Sequence, residues 1–216
     1  MFLDDTARAL IENHESGKDE FRDRTLAPYI QRIVQELHEE GRILDVGCGP
    51  SCVVEGLKSG HFYMGVDPNF DFLTYVASKR RQGSVHVGSD ELPNLSGVED
   101  GLYDLVFCSL VLNYVAELEK SVAAIFSKAR PWGRVVITAY DDIGIDLLWE
   151  RQILTQAQRV DTNHVVGRQM LPCGLDCPVE IFYHSDEEVA GNIGRHGRFE
   201  IQRLSDMVVS YDAIKI

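Results

Sequence analysis

The sequence predicts an α/β protein built on a mainly parallel sheet that closes with an antiparallel hairpin. Three observations predict it. Short apolar runs alternate with helical patterns from Arg42 to Thr138, a rhythm that calls for right-handed crossovers between parallel strands. A glycine turn, Gly47-Cys48-Gly49, stands where the first of these runs gives way to a helical pattern. The chain then ends in two alternating runs, Phe199 to Leu204 and Met207 to Tyr211, separated by Ser205-Asp206. So short a connection permits only antiparallel pairing.

The elements follow in order. Leu3, Ala7, Leu10 and Ile11 share one helical face, with Asp4 and Asp5 in the first turn. After the polar stretch Gly17 to Glu20, Ile30, Val34 and Leu37 repeat at helical spacing. Strands are predicted at Arg42–Val46, Phe62–Val66, Val85–Val87, Tyr103–Cys108 and Arg134–Thr138, the last after a turn at Pro131-Trp132-Gly133. Between them, Val53, Val54 and Leu57, then Leu73, Val76 and Ala77, then Leu118, Val122, Ile125 and Phe126 read as helices. Residues 140–183 form an insertion. It opens with a helical stripe (Ile145, Leu148, Trp149, Ile153) and continues, from Val160 to Ile181, as an irregular segment containing Pro172 and Pro178. A single domain over 1–216 results: a helical cap (1–40), a core (41–139), the insertion (140–183) and a C-terminal helix and hairpin (184–216).

Bulk properties bound the function. The 216 residues suffice for one sizeable core. Net charge is -13, from 34 acidic and 21 basic side chains, where a nucleic-acid surface wants a basic stripe. The basic groups Lys79-Arg80-Arg81 and Arg22/Arg24 read as solvated helix faces, so nucleic acid is not the expected partner. No run of about 18 apolar residues is present to span a membrane. The start, Met-Phe-Leu before two aspartates, lacks the basic region of a signal peptide. Five cysteines form no even framework, and a cytoplasmic protein is expected. Cys173 and Cys177, with His164 and His184 elsewhere, lack the second pair a zinc site wants. No metal is expected.

The chemistry concentrates at Ile43-Leu44-Asp45-Val46-Gly47-Cys48-Gly49-Pro50-Ser51. At a strand's carboxyl end, glycine lets a ligand approach the backbone without meeting a Cβ. Asp67 ends the second strand about 20 residues later, the offset of an acid that binds ribose hydroxyls. Cys52 stands where a dinucleotide fingerprint has its third glycine. Asp45 would repel a pyrophosphate, whereas the sulfonium and amino groups of S-adenosylmethionine are cationic. A branched side chain at Gly47 is expected to fill the ligand's space.

With these residues the sequence resembles the class I, Rossmann-like S-adenosylmethionine-dependent methyltransferases. Residues 43–51 are similar to that family's first motif, and Gly65-Val66-Asp67 to its ribose-binding step. Val87 to Pro93 resembles its third-strand segment, Tyr103 to Ser109 its fourth strand, and Arg130 to Arg134 the turn before strand five, with Trp132 replacing a glycine. The likeness covers about residues 26 to 140 and 184 to 216. It implies a three-layer sandwich around a seven-stranded sheet, with S-adenosylmethionine as cofactor and S-adenosylhomocysteine as its product. The implied cofactor contacts are Asp45, Gly47, Cys48, Gly49, Asp67, Pro68, Ser109 and Leu110, with Ser89 or Asp90 at the adenine, since the usual acidic position is Gly88 here.

Ligands of open parallel sheets lie beyond the carboxyl ends of the strands. That brings Ser109, Leu110, Asn113 and Tyr114, and then Tyr140, Asp141 and Asp142, toward the methyl group. Methyl transfer needs alignment above all and a base only for some acceptors, so Asp141, Asp142, Asn113 and Tyr114 are candidates without assigned roles. Asp141 or Asp142 reads equally well as the cap of a helix. The expected partner is a small-molecule acceptor, with the insertion as lid. Two other readings share the sheet: a nicotinamide-dependent oxidoreductase, which Asp45 and the hairpin oppose, and a protein-binding relative without turnover.

Overall fold

The computed structural model describes residues 4–79 and 83–216; Leu3, Arg80, Arg81 and the side chains of Asp4, Asp5, Asp142 and Ile143 lie outside what it describes. The N-terminal cap comprises helix α1 (Asp4–Ser16) and helix α2 (Ala27–Glu36), the latter entered through a π-turn at Arg22–Leu26. Strands β1 (Arg42–Val46) and β2 (Phe62–Val66) follow, then helix α3 (Phe70–Ser78), strands β3 (Ser84–Gly88) and β4 (Tyr103–Ser109), helix α4 (Leu118–Lys128) and strand β5 (Ala129–Tyr140). Helix α5 (Asp142–Glu150) opens the insertion, which continues as strands β6 (Leu154–Asp161), β7 (His164–Met170) and β8 (Asp176–Phe182). Helix α6 (Asp186–Gly194) and strands β9 (Gly197–Arg203) and β10 (Val208–Lys215) complete the chain.

The main sheet has seven strands in the order β3-β2-β1-β4-β5-β10-β9. The first five run parallel and the last two pair antiparallel. Alternation along the strands supplies a core on each face. Ile43, Leu105, Phe107 and Val136 meet α2 and α3, while Leu44, Val46, Val106 and Ile137 meet α4 and α6. The result is the three-layer sandwich that the family resemblance implies. Arg134 grips Asp212 with two hydrogen bonds of 2.9 and 2.6 Å, fixing the β5–β10 register. The Tyr29 hydroxyl ties α2 to Ser210 on β10 at 2.9 Å.

Three expectations are corrected. The pattern Val53-Val54-Leu57 gives no full helix but one 3-10 turn, Val54–Gly56. Gly56 breaks the segment and α2 occupies the space: a Cβ at Gly56 would lie 3.3 Å from the Gln31 backbone, and Gln35 donates to the Gly56 carbonyl at 2.6 Å. The turn at Pro131-Trp132-Gly133 lies inside β5 as an irregularity, where Tyr103 faces Ala129 and the next pair is Leu105 with Arg134. Trp132 takes the left-handed φ of 65° there.

The insertion is the third correction. Val160 to Ile181 is no irregular excursion: most of it belongs to a three-stranded antiparallel sheet, β6-β7-β8. Pro178 is tolerated because β8 is an edge strand. A small core of Ile145, Leu148, Leu154, Val165, Val179 and Ile181 unites this sheet with α5. Trp149, expected in the helical stripe, is instead exposed. Among the described residues, no helix is long and apolar enough to cross a membrane.

Candidate active site

At the carboxyl ends of β1, β2, β4 and β5 a cleft opens in two lobes of about 590 and 580 Å3. Gly47, Pro50, Ser109 and Leu110 line both, so they form the partition. One lobe runs over Asp67, Pro68, Asn69, Phe70, Asp90 and Leu92. The other lies between the N-terminal cap (His14, Phe21, Arg22) and the insertion (Leu148, Gln169, Leu171).

The glycine turn is built for close approach. Gly47 and Gly49 have φ values of 65° and 47°, the left-handed region where a Cβ is costly. A Cβ on Gly49 would meet nothing within 4 Å, so this backbone faces open space. A Cβ on Gly47 would lie 2.4 Å from Cγ2 of Val111. Its constraint is therefore internal, contrary to the expectation that only a ligand would clash. Cys48 lines the second lobe; its amide donates to the Val66 carbonyl at 3.0 Å while its thiol packs in the core on the α2 side. Burial raises that thiol well above its usual range.

Asp67 fastens this turn. It accepts from the amide of Gly49 at 3.0 Å and from that of Asn69 at 2.8 Å. Burial raises its pKa, and the two backbone donors oppose the rise. Asp45 is buried beneath the turn. Its Oδ2 accepts from Ser51 Oγ at 2.7 Å and from the Tyr63 hydroxyl at 3.0 Å, and burial pushes its pKa up to about 7 against those bonds. Ser51 also accepts from the amide of Val53 at 3.1 Å. In place of a long helix after β1, this side-chain network closes the loop. Gly65, two residues from Tyr63 on the same strand face, makes the room: a Cβ there would lie 2.7 Å from the Tyr63 hydroxyl. The alternation Tyr-x-Gly in β2 was the sequence signal for it.

Asp90 lines the first lobe while capping its own loop, accepting from Glu91 at 3.0 Å and Gly97 at 2.8 Å. Ser89 is exposed and is not among the residues that line the lobe. Phe70, 77% exposed, and Asn69 and Glu91 line this lobe too. Sequence reasoning missed all three, although an exposed phenylalanine at a helix start is a signal.

At the end of β4, Ser109 bonds Thr138 side chain to side chain at 2.8 Å, and the Leu110 amide donates to the Thr138 carbonyl at 2.8 Å. Leu110 holds φ 57°, a conformation uncommon for leucine that often marks functional backbone. Asn113 is buried and clamps Tyr140, accepting from its amide at 2.9 Å and donating to its carbonyl at 3.3 Å. Tyr114 lines the first lobe, and burial raises its pKa. Asp141 is the cap of α5, accepting from Gly144 at 2.5 Å and forming an ion pair with Arg203. It lines neither lobe. Among the described residues no three His, Cys, Asp or Glu side chains gather as a metal-holding group.

Comparison with known proteins agrees with this geometry. A methyltransferase-domain family model matches residues 44–137. The PH0226 protein from Pyrococcus horikoshii superimposes with a TM-score of 0.68 at 18% identity, over 92% of each chain. An S-adenosylmethionine-dependent methyltransferase from Methanosarcina mazei gives 0.65 at 16% identity, over 86% of this chain and 97% of its own. The 1,6-didemethyltoxoflavin-N1-methyltransferase of Burkholderia thailandensis, solved with 1,6-didemethyltoxoflavin and S-adenosylhomocysteine, gives 0.61 at 15% identity, over 97% and 86%. No curated protein matches the sequence.

Proposed function

Because the chain belongs to the class I S-adenosylmethionine-dependent methyltransferase family, we propose that it methylates a small molecule held between the N-terminal cap and the inserted sheet. The observation that carries the reading is the two-lobed cleft with its shared partition at Gly47, Pro50, Ser109 and Leu110. One lobe takes the nucleoside: Asp67 receives the ribose hydroxyls, the open face of Gly49 admits the ligand to the backbone, and Asp90, Glu91 and Phe70 border the adenine. Asp45 lies across the partition, on the side of the cationic amino-acid portion.

S-adenosylmethionine, when bound, supplies a methyl group already activated on sulfonium. The residues of the chain have then to align the acceptor with that methyl group and keep water away. Leu148, Ile153, Leu171 and Met207 give the second lobe an apolar wall. Asn113 and Asp141 act at one remove, holding Tyr140 and the start of α5 in place. The inserted sheet is the cover, a folded wall in place of the expected loop. That the Burkholderia protein, a neighbour of the same fold, was solved with a small molecule bound supports an acceptor of this class.

The test is transfer of label. Incubation with methyl-labelled S-adenosylmethionine and a metabolite extract should place the label in the low-mass fraction. Label confined to protein or nucleic acid would overturn the reading. Replacing Asp67 by Ala should weaken S-adenosylhomocysteine binding by about 1.5–3 kcal/mol, the scale of hydrogen bonds to a charged group. Calorimetry on the folded variant checks this, and unchanged affinity would remove Asp67 from the ribose site.

A further inference from the structure

Where the two lobes meet, three neutral polar side chains from three parts of the chain come together. The Tyr114 hydroxyl, just after β4, donates to Gln169 Oε1 at 3.4 Å. Gln169, on β7, and Tyr140, at the end of β5, line the same lobe. Tyr114 faces the nucleoside lobe, while Gln169 and Tyr140 face the other. Around them the lining is apolar: Leu148, Ile153 and Met207. Gln169 is the polar member that the inserted sheet contributes between the two tyrosines of the core.

We propose that Gln169, set between Tyr114 and Tyr140, orients the methyl acceptor and selects one whose reactive edge is uncharged and carries both a hydrogen-bond donor and an acceptor. The inference rests on the reading that the neighbouring lobe holds the cofactor. A glutamine amide has two N–H donors and a carbonyl with two lone pairs, and a tyrosine hydroxyl both donates and accepts. With one carbonyl lone pair spent on Tyr114, Gln169 retains N–H donors and a second lone pair to offer, and an acceptor with a complementary edge satisfies both. A charged edge would lose hydration in this apolar setting without an opposite charge beside it on the Gln169 wall, which is costly. The charged residues that line the lobe are Lys18, Asp19, Glu20 and Arg22 from the N-terminal cap and Asp45 on β1, beneath the glycine turn. Asp19 is the one whose charge reaches Tyr140, and it is already engaged by the amide of Arg22 at 3.0 Å and by Asn13 at 3.4 Å.

Three probes of one shape test the proposal: benzamide (neutral, donor and acceptor), benzoate (anion) and benzamidine (cation). Saturation-transfer NMR is run on the full chain saturated with S-adenosylhomocysteine, whose own affinity is measured in parallel. Benzamide should give at least a threefold stronger signal than either ion. Gln169→Leu should lower the benzamide signal to the level of the ions, with S-adenosylhomocysteine affinity held within twofold. Gln169→Glu, nearly the same in shape, should reverse the preference toward benzamidine, and it decides the matter if the leucine variant does not fold. An unchanged benzamide signal in Gln169→Leu, or no reversal in Gln169→Glu, would overturn the proposal. So would a wild-type preference for benzoate or benzamidine. Failure of S-adenosylhomocysteine to bind the wild type would instead remove the cofactor reading itself, and this inference with it.

Discussion

Gly47→Val should lower the thermal midpoint by about 6–15 °C as well as abolish cofactor binding. Two costs add. A residue other than glycine at φ 65° loses about 1–2 kcal/mol, and β-branching narrows its choices further. The new Cβ would also stand 2.4 Å from Val111 Cγ2 and 3.0 Å from its Cγ1, an overpacking worth about 1–3 kcal/mol. A total of about 2–5 kcal/mol in a chain of this size corresponds to the stated shift, at roughly 3 °C per kcal/mol. Gly49→Ala separates the two roles of the turn. Its φ of 47° carries the same conformational cost, but its Cβ would enter open cleft. Calorimetry should find it less destabilised than Gly47→Val and still impaired in cofactor binding. A valine variant that unfolds at the wild-type temperature would mean that Val111 yields freely and the turn is less constrained than its geometry states.

The contrast between Gly47 and Gly49 also marks what the sequence conveys. Period-two and period-3.6 patterns record which face of an element is buried, so the sheet, its crossovers and the terminal hairpin were legible. The positions of Asp45, Gly47, Gly49 and Asp67 at strand ends were legible for the same reason, since their role follows from topology. What each glycine touches was not. Val111 is far from Gly47 in sequence, and only the parallel pairing of β1 with β4 brings them together. The inserted sheet escaped detection because β6, Leu-Thr-Gln-Ala-Gln-Arg-Val-Asp, is exposed over most of its length and lacks the apolar alternation that announces a half-buried strand. Gln169 was hidden with it: on its own, a glutamine in a polar stretch looks like surface. Asp141 was legible as a cap, since Asp before a helical stripe is a local signal.

Binding of S-adenosylhomocysteine should release up to roughly one proton at pH 6 and almost none at pH 8.5. Burial holds Asp45 protonated up to a pKa of about 7, opposed by the hydrogen bonds from Ser51 and Tyr63 and reinforced by the charge of Asp67. In the unfolded chain the same group titrates near its ordinary value of about 3.9. Between these values the folded protein carries a proton that the unfolded chain lacks. Asp45 therefore contributes stability in full below about pH 4 and loses it as pH rises through 7, a change of about 4 kcal/mol at 1.36 kcal/mol per unit. A cationic amino group arriving beside Asp45 favours the carboxylate and expels that proton. Protein stabilisation by the ligand should accordingly grow from pH 5 to pH 8. His14 does not confuse the reading, because burial, with Arg22 and Lys79 nearby, lowers its pKa to about 4. Asp67 also titrates upward of normal, so a variant specific to Asp45 is needed. Of the two carboxylates, Tyr63→Phe removes a donor only from Asp45, raises its pKa further and should extend proton release to higher pH. Calorimetry at each pH in buffers of different ionisation enthalpy counts the protons directly. No proton exchange at pH 6, or a release unaffected by Tyr63→Phe, would place Asp45 outside the reach of the ligand and leave it a purely internal support of the loop.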